Sequence, residues 1–190
     1  MKNIAIFASG SGSNAENIAK YFEGKQNVYI SSILTNKSDA YVLNRAENLG
    51  IPSLVFSKED FVNSTKVIDY LKELEVDAIV LAGFLWKVPS ELIKSFPDKI
   101  INIHPALLPN YGGKGMFGMN VHNAVIENKE KESGITIHLV NEEYDKGAIL
   151  LQARTSIEEG DNAEDLAQKI HALEYAYFPV AVEAWLKEMK

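Results

Sequence analysis

The chain contains no cysteine, which excludes disulfide bonds and thiolate metal ligands and favours a reducing compartment. Positive charge is also scarce: 19 basic residues stand against 26 acidic ones, and the net charge of -7 argues against a nucleic-acid partner. No apolar run is long enough to span a bilayer, and the hydrophobic start "NIAIFA" runs into a glycine turn rather than a signal-peptide cleavage site. We therefore expect a cytoplasmic protein without a nucleic-acid or membrane partner.

Short apolar runs alternate with amphipathic segments through the first hundred residues. We predict strands at residues 3–8, 28–36, 53–56, 77–83 and 99–104 and helices at 14–22, 39–50, 59–74 and 89–95. This alternation is typical of an α/β fold with a doubly wound, mostly parallel sheet. No internal repeat or linker interrupts the pattern, so we expect a single domain over residues 1–190.

The pattern changes after residue 133. Two β-rich runs, "GITIHLVN" and "GAILLQARTSI", are separated only by an acidic turn, which predicts an antiparallel extension of the sheet. A long C-terminal helix follows, with Asp161 and Glu164 at the spacing of an N-terminal capping box. Pro179 is expected to kink or split this helix.

The loop "SGSGSN" at residues 9–14 joins the first strand to the first helix. Such a loop presents backbone N–H groups at a helix N-terminus and favours an anion such as phosphate, although it also fits a simple tight turn. Ser13 and Glu16 have capping-box spacing. The loose dinucleotide pattern of Gly10, Gly12 and Ala15 is weak, because no acidic residue ends the second strand. We favour a phosphate site.

The segment "INIHPALLP" places two polar side chains on one face at the end of a strand. Asn102 and His104 share that face by the period of two, and Pro105 ends the pairing. An imidazole can move a proton and an amide can donate to an oxyanion, and Asp145 is a plausible charge partner that would raise the pKa of His104. His138 shares a face with Thr136, which fits either a supporting role or plain burial. No set of His, Asp and Glu has metal-site spacing, so we expect no metal.

Five segments resemble a known family. They are "SGSGSN", "LAGFLWKV", "NIHPALLP", "HLVNEEYDKGAILLQ" and "ALEYAYFP", and their order and spacing are similar to those of the phosphoribosylglycinamide formyltransferases, the folate-dependent glycinamide ribonucleotide transformylases. The resemblance covers essentially the whole chain. It implies a formyltransferase domain whose residues 1–100 bind the nucleotide phosphate and whose residues 101–190 carry the catalytic and folate-binding groups.

The resemblance also implies the reaction. The formyl group of 10-formyltetrahydrofolate, a co-substrate, would pass to the amine of 5-phosphoribosylglycinamide in purine biosynthesis, by direct attack and without a metal. Asn102 would hydrogen-bond the formyl oxygen, His104 would stabilise the oxyanion and donate a proton, and Asp145 would keep His104 protonated.

The binding residues follow from the same motif match. The ribonucleotide would contact Gly12, Ser13, Asn14 and Glu174. The residues expected in the folate-binding site are Leu85, Trp86, Lys87, Val88, Asn102, Asn141, Glu142, Glu143, Tyr144 and Asp145. The resemblance therefore implies two small-molecule substrates as partners, and it implies that the protein is a monomer or a homodimer.

Two features depart from the family pattern. Trp86 stands where many members have a basic residue, and no arginine lies between residues 46 and 153, so Lys66 or Lys87 would have to hold the folate glutamate tail. Trp86 and Phe84 fit either an apolar ligand slot or ordinary packing. The segment "NYGGKGMFGMNVH" at residues 110–122 is longer than usual and is either a lid over the nucleotide or a long surface loop.

Three other functions remain open. A methionyl-tRNA or nucleotide-sugar formyltransferase would share the motif, but the tRNA enzyme needs a further C-terminal domain and a basic surface. A formyltetrahydrofolate deformylase normally carries an N-terminal regulatory domain, and here the first strand begins at residue 3. A non-catalytic nucleotide-binding module would use the glycine loop alone and would tolerate His104→Ala.

Overall fold

The structure, a computed structural model, describes residues 1–189. In that part of the chain the strands are β1 (Lys2–Phe7), β2 (Val28–Thr35), β3 (Ser53–Val55), β4 (Ala78–Leu81), β5 (Ile100–His104), β6 (Glu132–Leu139) and β7 (Ile149–Ser156). The helices are α1 (Ser13–Phe22), α2 (Val42–Asn48), α3 (Lys58–Val62), α4 (Lys66–Glu73), α5 (Ser90–Ser95), α6 (Met119–Glu127) and α7 (Ala163–Glu188).

The strands form one sheet in the order β3-β2-β1-β4-β5-β6-β7. The pairs β1–β2, β1–β4 and β2–β3 are parallel, and β6–β7 is antiparallel. The strand order reverses beside β1, as it does in doubly wound α/β folds. The predicted α/β class, the antiparallel extension and the long C-terminal helix are confirmed.

The chain divides into two compact units, and the division falls inside β5. The first unit is Met1–Ile101 and the second begins at Asn102. The core of the first unit is built on β1, whose residues from Ile4 to Phe7 are fully buried, as expected for a strand covered on both faces. The predicted apolar face of α1 is also buried, at Ala15, Ile18, Ala19 and Phe22.

Local signals set the ends of the helices in the first unit. After α2, the N–H of Gly50 donates to Glu47 and that of Ile51 donates to Ala46, a Schellman-type ending that uses the positive φ of Gly50. The single helix predicted at 59–74 is wrong. Two helices occupy it, because a capping box at Ser57 and Asp60 starts α3, which ends at Asn63, and α4 restarts at Lys66.

The second unit contains the β6–β7 hairpin and α7. Two glycines allow close backbone contact in the hairpin: a Cβ on Gly134 would lie 2.0 Å from the Ala153 oxygen, and one on Gly147 would lie 1.6 Å from the Leu139 oxygen. Helix α6 begins at Met119, inside the segment 110–122 that the sequence suggested as a long loop.

The structure corrects the expected capping box of α7 and the expected split at Pro179. The capping box is formed by Asn162 and Asp165 rather than by Asp161 and Glu164, because Asn162 has the extended backbone that an N-cap requires. Pro179 does not split the helix, which runs without interruption from Ala163 to Glu188. Within residues 1–189, no helix has the length and apolar character needed to cross a membrane.

Candidate active site

The loop after β1 is held by the two strands and the helix that flank it. The N–H of Ser9 donates to the carbonyl of Gly83 at 3.0 Å, and the Ser9 hydroxyl donates to Asn36 Oδ1 at 2.7 Å and accepts the N–H of Leu85 at 3.0 Å. These bonds join the loops that follow β1 and β4, between which the strand order reverses. Ligands of doubly wound sheets bind at this position.

Gly12, Ser13 and Asn14 lie where α1 begins. The predicted capping box is wrong: Gly12, not Ser13, is the N-cap, and it has left-handed backbone angles of φ 73° and ψ 20°. A Cβ on Gly12 would lie 2.2 Å from Val42 Cγ2, so contact with α2 also requires glycine here. The loop keeps the form that a helix-terminal anion site needs.

The folate segment predicted at 85–88 follows an aromatic core. Phe84 is buried and packs edge-on against Phe7 and Phe61, with ring centroids 5.4 Å away in both cases. Trp86 is half-buried at the rim of this core, with its ring 6.1 Å from that of Phe56. Phe84 is therefore a packing residue.

Lys87 and Leu85 are exposed beside this rim. Lys66, the other lysine suggested for the folate tail, bonds the Asp60 carboxylate at 3.1 Å in the first unit.

His104 ends β5 and is fixed through one ring nitrogen. Its Nε2–H donates to the backbone carbonyl of Tyr111 at 2.7 Å, which sets the tautomer because a carbonyl only accepts. Nδ1 is then the free nitrogen of the neutral ring, and it lies 3.7 Å from Asp145 Oδ2. His104 is 3% exposed, so this ring is almost fully removed from water.

His138 orients the amide of Asn102. Its Nδ1–H donates to the Leu139 carbonyl at 2.8 Å, which leaves Nε2 to accept from Asn102 Nδ2 at 3.2 Å. One N–H of the Asn102 amide is used in this bond, and the second N–H is directed elsewhere. From the sequence, His138 fitted either a supporting role or plain burial. The alternation of β6, which places it on one face with Thr136, was the available signal.

Asp145 lies between the two histidines. Its Oδ1 is 3.6 Å from His138 Nε2, and its Oδ2 accepts the N–H of Gly113 at 2.8 Å. Burial raises the pKa of Asp145, but the nearby His138 ring, the hydrogen bond from the Gly113 N–H and the His104 ring outweigh burial and hold that pKa below its usual value.

The pKa of His104 is set by opposing effects. Burial lowers it and is the largest effect, while the Asp145 carboxylate and the Tyr111 carbonyl raise it. The net pKa of His104 lies below its usual value. Asp145 therefore acts in the predicted direction, but burial keeps the resting imidazole largely neutral at pH 7.

A buried hydroxyl locks the turn that follows His104. Thr136 Oγ1 donates to the Ala106 carbonyl at 2.7 Å and accepts the N–H of Leu108 at 3.0 Å. Gln152 Nε2 adds bonds of 2.9 Å to this hydroxyl and to the Leu108 carbonyl. β6 and β7 therefore fix the backbone that positions His104 and the Tyr111 carbonyl.

The structure thus brings Asn102, His104 and Asp145 together within the second unit. The other predicted residues of this unit are more open: Asn141, Glu142, Glu143 and Tyr144 are exposed, and Glu174 is half-buried in α7. His122 is buried in α6, and His171 is exposed in α7. No group of three or more possible metal-binding side chains occurs among the residues that the structure describes.

Comparison with known proteins decides the family. The formyl transferase family model matches residues 2–182. The chain belongs to the formyl transferase family. Among its relatives, the phosphoribosylglycinamide formyltransferase of Haemophilus influenzae is 38% identical over 99% of this chain and 88% of its own length. The chloroplastic enzyme of that name from Arabidopsis thaliana is 41% identical over 98% of this chain.

The fold of this formyl transferase has close matches among solved structures. The crystal structure of phosphoribosylglycinamide formyltransferase from Anaplasma phagocytophilum superposes with a TM-score of 0.90 at 33% identity and covers 98% of this chain and 87% of its own. The chain spans 66% of the Arabidopsis relative and 62% of one from Vigna unguiculata. The predicted resemblance to the phosphoribosylglycinamide formyltransferases is confirmed.

Proposed function

We propose that this formyl transferase moves the formyl group of 10-formyltetrahydrofolate to the amine of 5-phosphoribosylglycinamide, a step of purine biosynthesis in the cytoplasm. The single observation that supports this chemistry best is the grouping of Asn102 and Asp145 around the buried His104. It combines an oriented amide donor, a neutral imidazole and a carboxylate held ionised. Oxyanion stabilisation by a hydrogen-bond donor and proton transfer by an imidazole both accelerate direct acyl transfer to an amine.

Asn102 supplies the hydrogen bond to the formyl oxygen. His138 fixes the amide so that one N–H is engaged, and the second N–H donates to the oxygen as it becomes negative. A donor oriented before the reaction stabilises the oxyanion without reorganising during the reaction. This is the reason for two polar side chains on one face at the end of β5.

His104 carries the proton from the attacking amine to the leaving nitrogen. The attack forms a bond from the amine nitrogen to the formyl carbon, and Nδ1 of the neutral His104 takes the proton that the nitrogen then loses. The imidazolium returns this proton to N10 of the folate as the bond between that nitrogen and the formyl carbon breaks. Asp145 stabilises the imidazolium in between, so no net proton is gained or lost.

The binding roles follow the family resemblance. Gly12, Ser13 and Asn14 would hold the substrate phosphate at the N-terminus of α1, and Glu174 would contact the ribose. The resemblance assigns folate binding to Leu85, Trp86, Lys87 and Val88 in the first unit. It also assigns folate binding to the loop at residues 141–145 in the second unit, where the Asn141 side chain accepts the Glu143 N–H at 2.9 Å.

The reaction can be tested with purified protein, 10-formyltetrahydrofolate and phosphoribosylglycinamide. Tetrahydrofolate should form only when both substrates are present, and the ribonucleotide should gain one formyl group per folate consumed. Formation of tetrahydrofolate without the ribonucleotide would identify a deformylase instead and would contradict the proposal.

Two variants connect this activity to the site. His104→Ala should lower kcat by about 10²-fold or more, because general acid–base catalysis contributes on this scale. Asn102→Ala should also lower kcat, whereas the matched amide deletion Asn63→Ala, at an exposed position after α3, should not. Unchanged activity in His104→Ala would favour the non-catalytic nucleotide-binding module.

A further inference from the structure

Arg45 links α2 to the glycine loop after β1. Its Nε–H donates to the carbonyl of Ser11 at 2.8 Å, and its guanidinium also pairs with the carboxylate of Glu16 in the first turn of α1. The guanidinium carbon lies 5.0 Å from the centre of the Tyr41 ring, which restricts its position further. Arg45 therefore contacts both the loop and the helix that begins there.

The bond to Ser11 determines where the next N–H group points. In a trans peptide the C=O and the following N–H point in opposite directions, so a Ser11 carbonyl held toward Arg45 directs the Gly12 N–H away from α2. The N–H of Val42 bonds the Gly10 carbonyl at 3.1 Å and orients the Ser11 N–H in the same way. Successive N–H groups presented on one side form an anion-binding nest.

Arg45 also balances an unfavourable charge. Glu16 lies in the first turn of α1, where an anionic ligand at the helix N-terminus would experience its negative charge. Arg45 and Lys20 both pair with this carboxylate, Lys20 at a distance of 2.8 Å. The Arg45 and Glu16 side chains are only 25% and 21% exposed, so solvent screens their pair less than it screens a surface pair.

We infer that Arg45 is a positioning residue for the phosphate of the substrate. It acts through the Ser11 carbonyl and the Glu16 carboxylate and does not touch the substrate itself. This inference rests on the function proposed above, because the phosphate site at Gly12, Ser13 and Asn14 is part of that proposal. It adds a residue on α2, outside the loop, to the determinants of phosphate affinity.

Binding of ribose 5-phosphate to the full chain tests the inference, with ribose as the ligand that lacks the phosphate. In Arg45→Gln, the Kd for ribose 5-phosphate should rise about tenfold, a loss on the scale of one charge-assisted hydrogen bond. Arg45→Lys should give a Kd between those of Arg45→Gln and the parent chain, because an ammonium group keeps the positive charge but lacks the rigid fork of donors of the guanidinium. Arg154→Gln is the matched control, since Arg154 pairs with Glu132 at an exposed site and should leave this Kd unchanged.

A second substitution separates charge from geometry. Glu16→Gln in the Arg45→Gln chain should recover part of the lost affinity, because it removes the uncompensated negative charge. In the transformylase assay, Arg45→Gln should raise KM for the ribonucleotide while kcat and KM for the formyl folate stay the same. A general structural defect would change all three, and Arg45→Lys serves as the test variant if Arg45→Gln does not fold.

The outcomes are distinct. Tight ribose 5-phosphate binding that does not change in Arg45→Gln or in Arg45→Lys overturns the role of Arg45 and leaves the proposed function standing. Parent protein that binds ribose 5-phosphate no better than ribose overturns the proposed phosphate site and the inference together. Equal loss of affinity for both ligands in the Arg45 variants shows a structural defect and also overturns the inference.

Discussion

Gly12→Ala should destabilise the protein strongly for two independent reasons. Gly12 has a φ of 73°, and a left-handed conformation costs a residue with a Cβ about 1–2 kcal/mol. The new Cβ would also lie 2.2 Å from Val42 Cγ2 and 2.5 Å from Val42 Cβ, and relieving such overlap costs about 1–3 kcal/mol. We expect a loss of roughly 2–5 kcal/mol in the free energy of unfolding.

Denaturant and thermal unfolding measure this loss directly. For a chain of this length each kcal/mol lowers Tm by about 2–4 °C, so Tm should fall by about 4–20 °C. Gly10→Ala is the matched control in the same loop, since its φ is not positive and nothing lies within 4 Å of a Cβ built there. Gly10→Ala should change the free energy of unfolding by less than about 1 kcal/mol.

A double-mutant cycle with Val42→Ala identifies the steric part of the cost. Val42→Ala removes Cγ2 but keeps the Cβ that lies 2.5 Å from the new atom, so it should relieve only part of the overlap. An equal effect of Gly12→Ala and Gly10→Ala would refute the reasoning. So would strict additivity of Gly12→Ala and Val42→Ala.

Three further substitutions test the second unit. Asp145→Asn removes a charge that raises the pKa of His104, so that pKa should fall further. The acid limb of the kcat/KM profile, which follows protonation of His104, should therefore move to lower pH. An unchanged pH profile would show that Asp145 does not have this role. His138→Phe should lower kcat about tenfold with little change in either KM, because the Asn102 amide loses its orienting partner, and an unchanged kcat would contradict this. Thr136→Val keeps the side-chain shape but leaves buried polar groups unpaired, and denaturant unfolding should show a loss of roughly 2–4 kcal/mol; a loss below 1 kcal/mol would be inconsistent with the buried bonds.

The sequence predicted the elements whose signals are local and repeated. The unbroken apolar run of β1 and the helical face of α1 are visible in the letters alone, and both are buried as expected. The break between α3 and α4 was missed because the apolar spacing continues across it, while Ser57 and Asp60 start a short helix that ends at Asn63. Helix boundaries depend on such side-chain caps and not on periodicity.

The sequence predicted the three side chains that the structure brings together in the second unit, but not the groups that hold them in place. Asn102 and His104 were found because a period of two and a strand end are local features. The sequence offered Asp145 only as a plausible charge partner, and the family resemblance gave it a role beside His104. The backbone carbonyl of Tyr111 carries no side-chain signal, and the importance of His138 depends on a neighbour 36 positions away in the sequence. The low pKa of His104 likewise follows from burial in the folded chain, which the sequence does not show.

The close contact at Gly147 constrains how the loop that carries Asp145 can change during evolution or engineering. Residues 141–144 are exposed, so their identities can vary with little effect on stability, and ligand preference can be altered there. The number of residues between Leu139 and Gly147 cannot vary as freely, because an insertion would shift Asp145 relative to the two histidines while the hairpin stayed in register. Exchange of the loop between Leu139 and Gly147 among relatives should therefore keep Asp145 beside the two histidines when the loop length is kept, even if every exposed side chain differs.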